Sequence, residues 1–227
     1  MELWQGFVKA IQLIIALDPE VMEITGRSLS FAVTSCVISS LICLPLGSLI
    51  HFNRFWGKRG LINLIQTLYS VPTVAIGLFV FVFLSRAGPL GELGLMFTQA
   101  AIVIGQVLLV TPIILGLTIS ALNNIDKAVI DTAISLGADR FQTAVITIRE
   151  ARYAVLTAVI MGFGRAVSEV GLSLMVGGNI RGFTRTITTA ISLETSKGDV
   201  ELSIALGVIL IFLALVINIV LNRLQQR

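Results

Sequence analysis

The chain has 227 residues, of which 56% are hydrophobic and only 13% charged, and its mean hydropathy is +0.95. Water-soluble domains carry about 25% charged residues, because a folded surface has to be hydrated. The composition therefore excludes soluble, disordered and disulfide-scaffold proteins, and it indicates one membrane-embedded domain over residues 1–227. The net charge of +3 is small and basic residues are not interleaved with aromatic ones, so no nucleic-acid partner is expected.

An amphipathic helix is predicted at the N-terminus, over residues 1–17, and Asp18-Pro19 ends the pattern. A helix of this length with a polar face suits the membrane interface better than a crossing. A signal peptide is the alternative, but it would place basic residues before the apolar core, whereas Glu2 comes first here. The apolar positions share one face: Leu3, Trp4, Phe7, Val8, Ile11, Ile14 and Ile15.

Five long, charge-poor stretches follow, each near or above the roughly 20 residues that cross a bilayer as a helix. They are continuously apolar, which favours helices over the alternating strands of a membrane barrel. The predicted fold is therefore an all-α membrane protein with five transmembrane helices. The predicted spans are residues 28–50, 61–85, 93–122, 153–178 and 202–222.

The positions of Lys and Arg near the spans predict the orientation. Nine lie on the side that holds the turn after span one, the segment after span three and the C-terminal tail, against six on the other side. The nine-residue side is predicted to be cytoplasmic, which places the N-terminus outside and the C-terminus inside. These nine are Arg54, Lys58, Arg59, Lys127, Arg140, Arg149, Arg152, Arg223 and Arg227.

Two segments between spans are too long to be simple turns. Residues 123–152 carry apolar residues at spacings of three and four, which predicts a helix on the cytoplasmic side. An amphipathic helix there needs a soluble partner to cover its apolar face. Residues 177–199, on the outside, are rich in threonine and are predicted to form a short helix or a re-entrant turn.

The sequence contains no catalytic constellation. It has one histidine, no glycine-rich phosphate loop and no pair of carboxylates within a span, so the chain is expected not to be an enzyme. The two cysteines, Cys36 and Cys43, both lie in the first apolar run and indicate small packing residues rather than a disulfide or a metal site.

Two features inside the predicted spans are unusual. Arg165 and Glu169 are four apart in span four, so they share a helix face and can neutralise each other. Charges at membrane depth usually face a bundle interior or an aqueous path, and the sequence leaves a structural ion pair and a pathway element both open. In span two, Ser70, Pro72 and Thr73 predict a kink that is either a gate or a packing feature.

Two motifs give the chain a family resemblance. Residues 131–137, DTAISLG, are similar to the EAA loop of binding-protein-dependent ABC transporter permeases, with Asp131 where the family usually has Glu and Thr132 where it has Ala. Residues 162–171, GFGRAVSEVG, resemble the R-A-x-x-E-x-G segment of the oxyanion-importing branch. The resemblance covers about residues 28–222. It is strongest to the tungstate- and molybdate-type permeases, in which an interfacial helix stands in for a first span.

The resemblance implies the permease subunit of an ATP-driven oxyanion importer in a prokaryotic inner membrane. It implies no cofactor in this chain, with ATP and Mg on separate ATPase subunits, and an extracytoplasmic substrate-binding protein as a further partner. The resemblance implies a helix–turn–helix in this loop, and the helix over residues 133–141 is expected to form a lever that seats in the ATPase. The expected coupling residues are Asp131, Ala133, Gly137, Ala138, Asp139 and Phe141, and those of the pathway or gate are Ser70, Pro72, Thr73, Arg165 and Glu169.

A two-fold dimer is expected, because one chain of five helices cannot enclose a path that opens alternately to both sides. Spans two and four are predicted to line that path, with Thr73 and Val167 facing it. The alternatives are a self-contained carrier or channel for a small anion, and an ABC permease for sulfate or another solute. A carrier would show an inverted repeat and ionisable residues at mid-membrane for ion coupling. The sequence has no such repeat, and only Arg165 and Glu169 lie at depth.

Overall fold

The computed structural model describes residues 2–225, with no account of the side chains of residues 2–7. Over this range the chain forms helices and turns and contains no strand, which confirms the predicted all-α class. The helices are α1 Glu2–Ile15, α2 Pro19–Phe52, α3 Lys58–Thr67, α4 Thr73–Leu84, α5 Gln99–Asn123, α6 Lys127–Ser135, α7 Arg140–Glu150, α8 Arg152–Val167, α9 Gly171–Gly177, α10 Ile187–Lys197 and α11 Val200–Gln225.

Three of the described helices, α2, α5 and α11, are each long and apolar enough to cross a bilayer. Two further crossings are broken. The unit formed by α3 and the 3₁₀ turn Leu68–Ser70 meets α4 at 98°, and α8 meets α9 at 61°. Counting each bent pair as one span gives the five that the sequence predicts. The kink predicted at Pro72 within residues 61–85 is present as a full break, whereas the prediction of one continuous helix over residues 153–178 is wrong.

The first crossing helix, α2, begins at Pro19, well before the predicted residue 28. Asp18 caps it, since its carboxylate accepts hydrogen bonds from the backbone N–H groups of Glu20 and Val21 at 3.0 and 3.2 Å. Proline in the first helical turn loses nothing, because its missing N–H would have no partner there. The helix therefore extends beyond its apolar stretch into a polar first turn.

The centre of the bundle is the packing of α5 against α2, α4, α8 and α9. Small polar residues on α2 allow the close approach of α5, as in many membrane helix pairs. Ser39 Oγ and Cys43 Sγ each donate to a backbone carbonyl of α5 at 3.4 Å. Both cysteines are buried and unpaired, as expected of packing residues. The arrangement places the two broken spans on neighbouring faces of α5.

The helix predicted at the N-terminus is present as α1, which packs against α11. Ala10 is buried in this contact, whereas Val8, Ile11 and Ile15 of the predicted apolar stripe are exposed. The side chains of the first part of that stripe lie outside the described residues: Leu3, Trp4 and Phe7. The location of α1 in the membrane interface stays a prediction.

The threonine-rich segment forms a buried turn followed by α10, in agreement with the predicted short helix. Thr186 and Thr189 make a capping box at its start. Buried Arg185 lies 3.2 Å from buried Glu194 and 3.7 Å from Glu20 of α2. These contacts fasten the segment to the first turns of α2 and bring the N-terminus of α10 against the break in the fourth span.

Candidate membrane pathway and coupling loop

The second span breaks where the sequence places Ser70, Pro72 and Thr73. Proline disfavours a helical conformation in the residue before it, and Val71 is accordingly extended, with φ −64° and ψ 127°. Pro72 then precedes α4, whose first turn has no capping side chain among the described residues. Ser70 and Pro72 are exposed and Thr73 is half-buried. The predicted kink is therefore a full break with a polar, accessible edge.

The fourth span breaks beside its two charges. The prediction that Arg165 and Glu169 share the face of one continuous helix is wrong, since α8 ends at Val167 and Glu169 lies before α9. The ion pair forms nonetheless, with Arg165 Nη1 donating to Glu169 Oε2 at 3.1 Å. The other carboxylate oxygen, Oε1, accepts from the backbone N–H of Leu172 at 2.8 Å. The side chain of Arg165 is 35% exposed and that of Glu169 only 1%.

The two breaks lie side by side. A methyl group on Gly171 would stand 3.0 Å from Val74 Cγ2, 3.7 Å from Thr73 Oγ1 and 3.8 Å from Glu169 Oε1. Further along, α4 and α9 stay in contact because Gly77 faces the backbone of Leu172. Thr73, Arg165 and Glu169 are thereby brought to one place, with Ser70 and Pro72 on the adjoining edge. In membrane transporters, discontinuous helices of this kind form substrate sites.

Two residues that the sequence did not single out hold the break in the fourth span. Gln106 of α5 is buried, and its Nε2 donates to the carbonyl oxygen of Ala166 at 3.2 Å. Thr188 of α10 is also buried, and its Oγ1 donates to the carbonyl oxygen of Glu169 at 2.5 Å. An amide side chain within an apolar run was the available signal for Gln106. Thr188 was one of several threonines, and sequence spacing could not show which of them reaches the break.

One of the two residues predicted to face the path does not. Val167 is buried in the core with Ile114 and Ala166. The prediction fails because it assumed a continuous helix, whereas α8 ends at this residue and the chain turns. The next residue, Ser168, is exposed at the edge of the break.

The predicted helical lever over residues 133–141 is two helices. The first, α6, ends at Ser135, and Gly137 follows with φ +87°, a left-handed conformation that glycine adopts without steric cost. Asp139 then caps α7 in a capping box, accepting from the backbone N–H of Gln142 at 2.8 Å. The helix–turn–helix that the resemblance implies is present, but residues 133–141 contain its turn and not one helix, because Gly137 ends the first helix and Asp139 caps the second.

This helix–turn–helix unit exposes an apolar surface. Leu136 is 83% exposed and Phe141 77%, while Ala133 is buried beneath them. A shallow groove between α6 and α7 is lined by Gly137, Ala138 and Gln142 among others. Of the remaining predicted coupling residues, Asp131 and Asp139 are exposed. A contiguous exposed apolar patch with a polar rim is typical of a protein interaction site.

Comparison with known proteins agrees with this geometry. The family model for the inner membrane component of binding-protein-dependent transport systems matches residues 43–227. The chain belongs to this family. The tungstate uptake system permease protein TupB of Peptoclostridium acidaminophilum is 39% identical, covering 98% of this chain and 97% of that protein. TupB of Campylobacter jejuni is 38% identical, covering 99% of this chain and 94% of that protein. A probable anion ABC transporter permease of Haloferax volcanii is 38% identical, covering 91% of each chain.

Solved structures of ABC transporters share the fold. A chain of the inward-facing methionine transporter MetNI superimposes with a TM-score of 0.71 at 16% identity, covering 92% of this chain and 98% of that one. A chain of a bacterial alginate ABC transporter, solved with its alginate-bound periplasmic protein, gives a TM-score of 0.74 at 16% identity, covering 99% of this chain and 87% of that one. The resemblance drawn from the two motifs is thus confirmed, and the chain is the permease subunit of an ABC transport system.

Proposed function

We propose that this permease imports a tetrahedral oxyanion, tungstate first and molybdate second. The observation that carries the proposal is the half-exposed guanidinium of Arg165, held where the two broken spans meet. Relatives that are 38–39% identical over nearly the whole chain are named as tungstate permeases, which supports the choice of anion. Sulfate is the next candidate.

The chemistry of Arg165 suits such a cargo. A guanidinium is always charged and offers a rigid fork of N–H donors that matches the oxygens of an oxyanion. Each break also exposes a serine, Ser70 at the second span and Ser168 at the fourth, which offers a hydrated anion hydrogen-bonding partners. Because Glu169 neutralises part of the charge, the anion is held weakly enough to leave again, as conduction requires.

Transport energy is supplied by other subunits in this proposal. Two ATPase subunits, which carry ATP and Mg, bind the exposed surface of α6 and α7, and this chain is not itself catalytic. A second copy of the chain completes the path along a two-fold axis, and a binding protein delivers the anion from outside. The excess of Lys and Arg near α6, α7 and the C-terminal tail supports a cytoplasmic location for that side. The N-terminus is accordingly outside.

Reconstitution in liposomes tests the function. The permease is assembled with its ATPase and binding protein, and uptake of tungstate, molybdate and sulfate is measured by elemental analysis. We expect ATP-dependent uptake of tungstate and molybdate in preference to sulfate, and none by the permease alone. Uptake by the permease alone would instead establish a self-contained carrier, and failure of all three anions to stimulate ATP hydrolysis would overturn the oxyanion assignment.

A further inference from the structure

The two breaks differ in how they are held. A helix that ends inside the membrane leaves backbone groups without partners, and hydrocarbon supplies none. At the fourth-span break, side chains from α5 and α10, Gln106 and Thr188, bind the freed carbonyls. Within the described residues, the second-span break has no capping side chain at the start of α4. The fourth-span break is therefore held by side chains from neighbouring helices, in addition to its own backbone contacts.

Glu169 is the centre of the fixed break. Its carboxylate binds in two directions at once, to the backbone N–H of Leu172 in α9 and to the guanidinium of Arg165 in α8. Its own carbonyl oxygen is bound by Thr188. With 1% of its side chain exposed, Glu169 has no surface with which to contact a solute. Arg165 is different, because the ion pair engages Nη1 of a group that has five N–H donors.

We propose that the two charges have separate roles: Arg165 contacts the transported anion, and Glu169 is a positioning residue that acts through Arg165. This inference rests on the proposed oxyanion function and goes beyond it by separating the two charges. Glu169 fixes the guanidinium at the edge of the break, and its hydrogen bond to Leu172 keeps that edge in register with α9. Gln106 and Thr188 hold the backbone on which both charges stand.

A double-mutant cycle that measures the uptake rate tests whether Glu169 acts through Arg165 or whether the two residues act independently. The variants are Arg165→Met, Glu169→Gln and the two together, each assembled with ATPase and binding protein in liposomes. Glu169→Gln removes the charge but keeps an oxygen that can accept from Leu172. If Glu169 acts only through Arg165, then Glu169→Gln lowers the uptake rate no further in a chain that already carries Arg165→Met.

We expect Arg165→Met to lower the rate of tungstate uptake by about tenfold or more, because a charge-assisted contact to the anion is lost. Glu169→Gln should lower it by about threefold to tenfold, since the guanidinium is no longer held. The double variant should match Arg165→Met in uptake. It should also be more stable to heat than Arg165→Met, because it no longer buries an unpaired carboxylate, so uptake will not follow stability.

Several outcomes would overturn the assignment. If the losses of uptake rate in the two single variants multiply in the double variant, Glu169 has a role of its own that does not depend on Arg165. Uptake at the wild-type rate by either single variant would remove the role assigned to that residue. If Arg165→Met fails to assemble, Arg165→Gln replaces it in the same cycle, since it removes the charge and keeps a polar side chain at the exposed edge. Lys9→Met is the matched control, because it breaks an exposed ion pair with Glu201 and should leave uptake unchanged. Absence of oxyanion uptake by the wild-type complex would instead refute the proposed function itself.

Discussion

At the scale of single residues, Gly137 illustrates how one backbone angle defines a surface. Its φ of +87° makes the turn between α6 and α7, and a methyl group there would meet no described atom within 4 Å. The requirement for glycine is therefore conformational and not steric. Gly137 ends α6 and orients the exposed Leu136 and Phe141.

We predict that Gly137→Ala weakens coupling without disturbing the membrane bundle. A left-handed alanine costs about 1–2 kcal/mol, which the turn can relieve by shifting α6 relative to α7. Transport-stimulated ATP hydrolysis should fall severalfold while the thermal unfolding of the permease alone changes little. Gly57→Ala is the matched control, since Gly57 has φ +88° and equally open surroundings but lies outside the α6–α7 unit. Equal effects of the two substitutions on coupling would contradict the role of Gly137.

At the scale of elements, glycines on α5 determine how closely the broken spans approach. A methyl group on Gly116 would stand 1.8 Å from Tyr69 Oη and 2.8 Å from Cζ of the same ring. Tyr69 belongs to the 3₁₀ turn Leu68–Ser70, which directly precedes the break in the second span. The position of that break on α5 therefore depends on a residue without a side chain.

Gly116→Ala should displace the Tyr69 ring and destabilise the packing of the second span by about 1 kcal/mol, the low end of the cost of overfilling, because Tyr69 is 36% exposed and its ring can shift. The measurement is the free energy of unfolding in detergent, together with uptake by the assembled complex. Gly207→Ala in α11 is the control, because a methyl group there meets no described atom within 4 Å and alanine favours the helix. Wild-type stability of Gly116→Ala would mean that Tyr69 does not fix the second span.

The sequence predicted element types well and element continuity poorly. Hydropathy identified all five candidate spans, because burial in lipid requires long apolar runs whatever their backbone geometry. It did not predict the bends of 98° and 61°, because a run remains apolar when its helix is interrupted. Pro72 marked the first interruption. The second has no proline and depends on Gln106 and Thr188, which are far from it in sequence.

At the scale of the whole molecule, the residues proposed for the pathway lie at the only place among the described residues where two broken spans meet. Each break exposes a serine, Ser70 at the second span and Ser168 at the fourth. Exposed polar side chains at membrane depth are costly against lipid, so these serines are expected to face water or the second copy of the chain. The proposed dimer would meet this requirement by placing the breaks along its two-fold axis.

The most direct test of this account is the aqueous accessibility of Ser168. Ser168 is replaced by cysteine in a chain whose Cys36 and Cys43 are replaced by alanine. Labelling of this cysteine by a membrane-impermeant thiol reagent is then measured in the liposome complex, with and without tungstate-loaded binding protein and ATP. The adjacent buried Val167→Cys is the control. We predict that Ser168→Cys is labelled and that tungstate protects it, while Val167→Cys stays inert. A Ser168→Cys that no nucleotide state exposes, or that tungstate never protects, would contradict a pathway at the paired breaks.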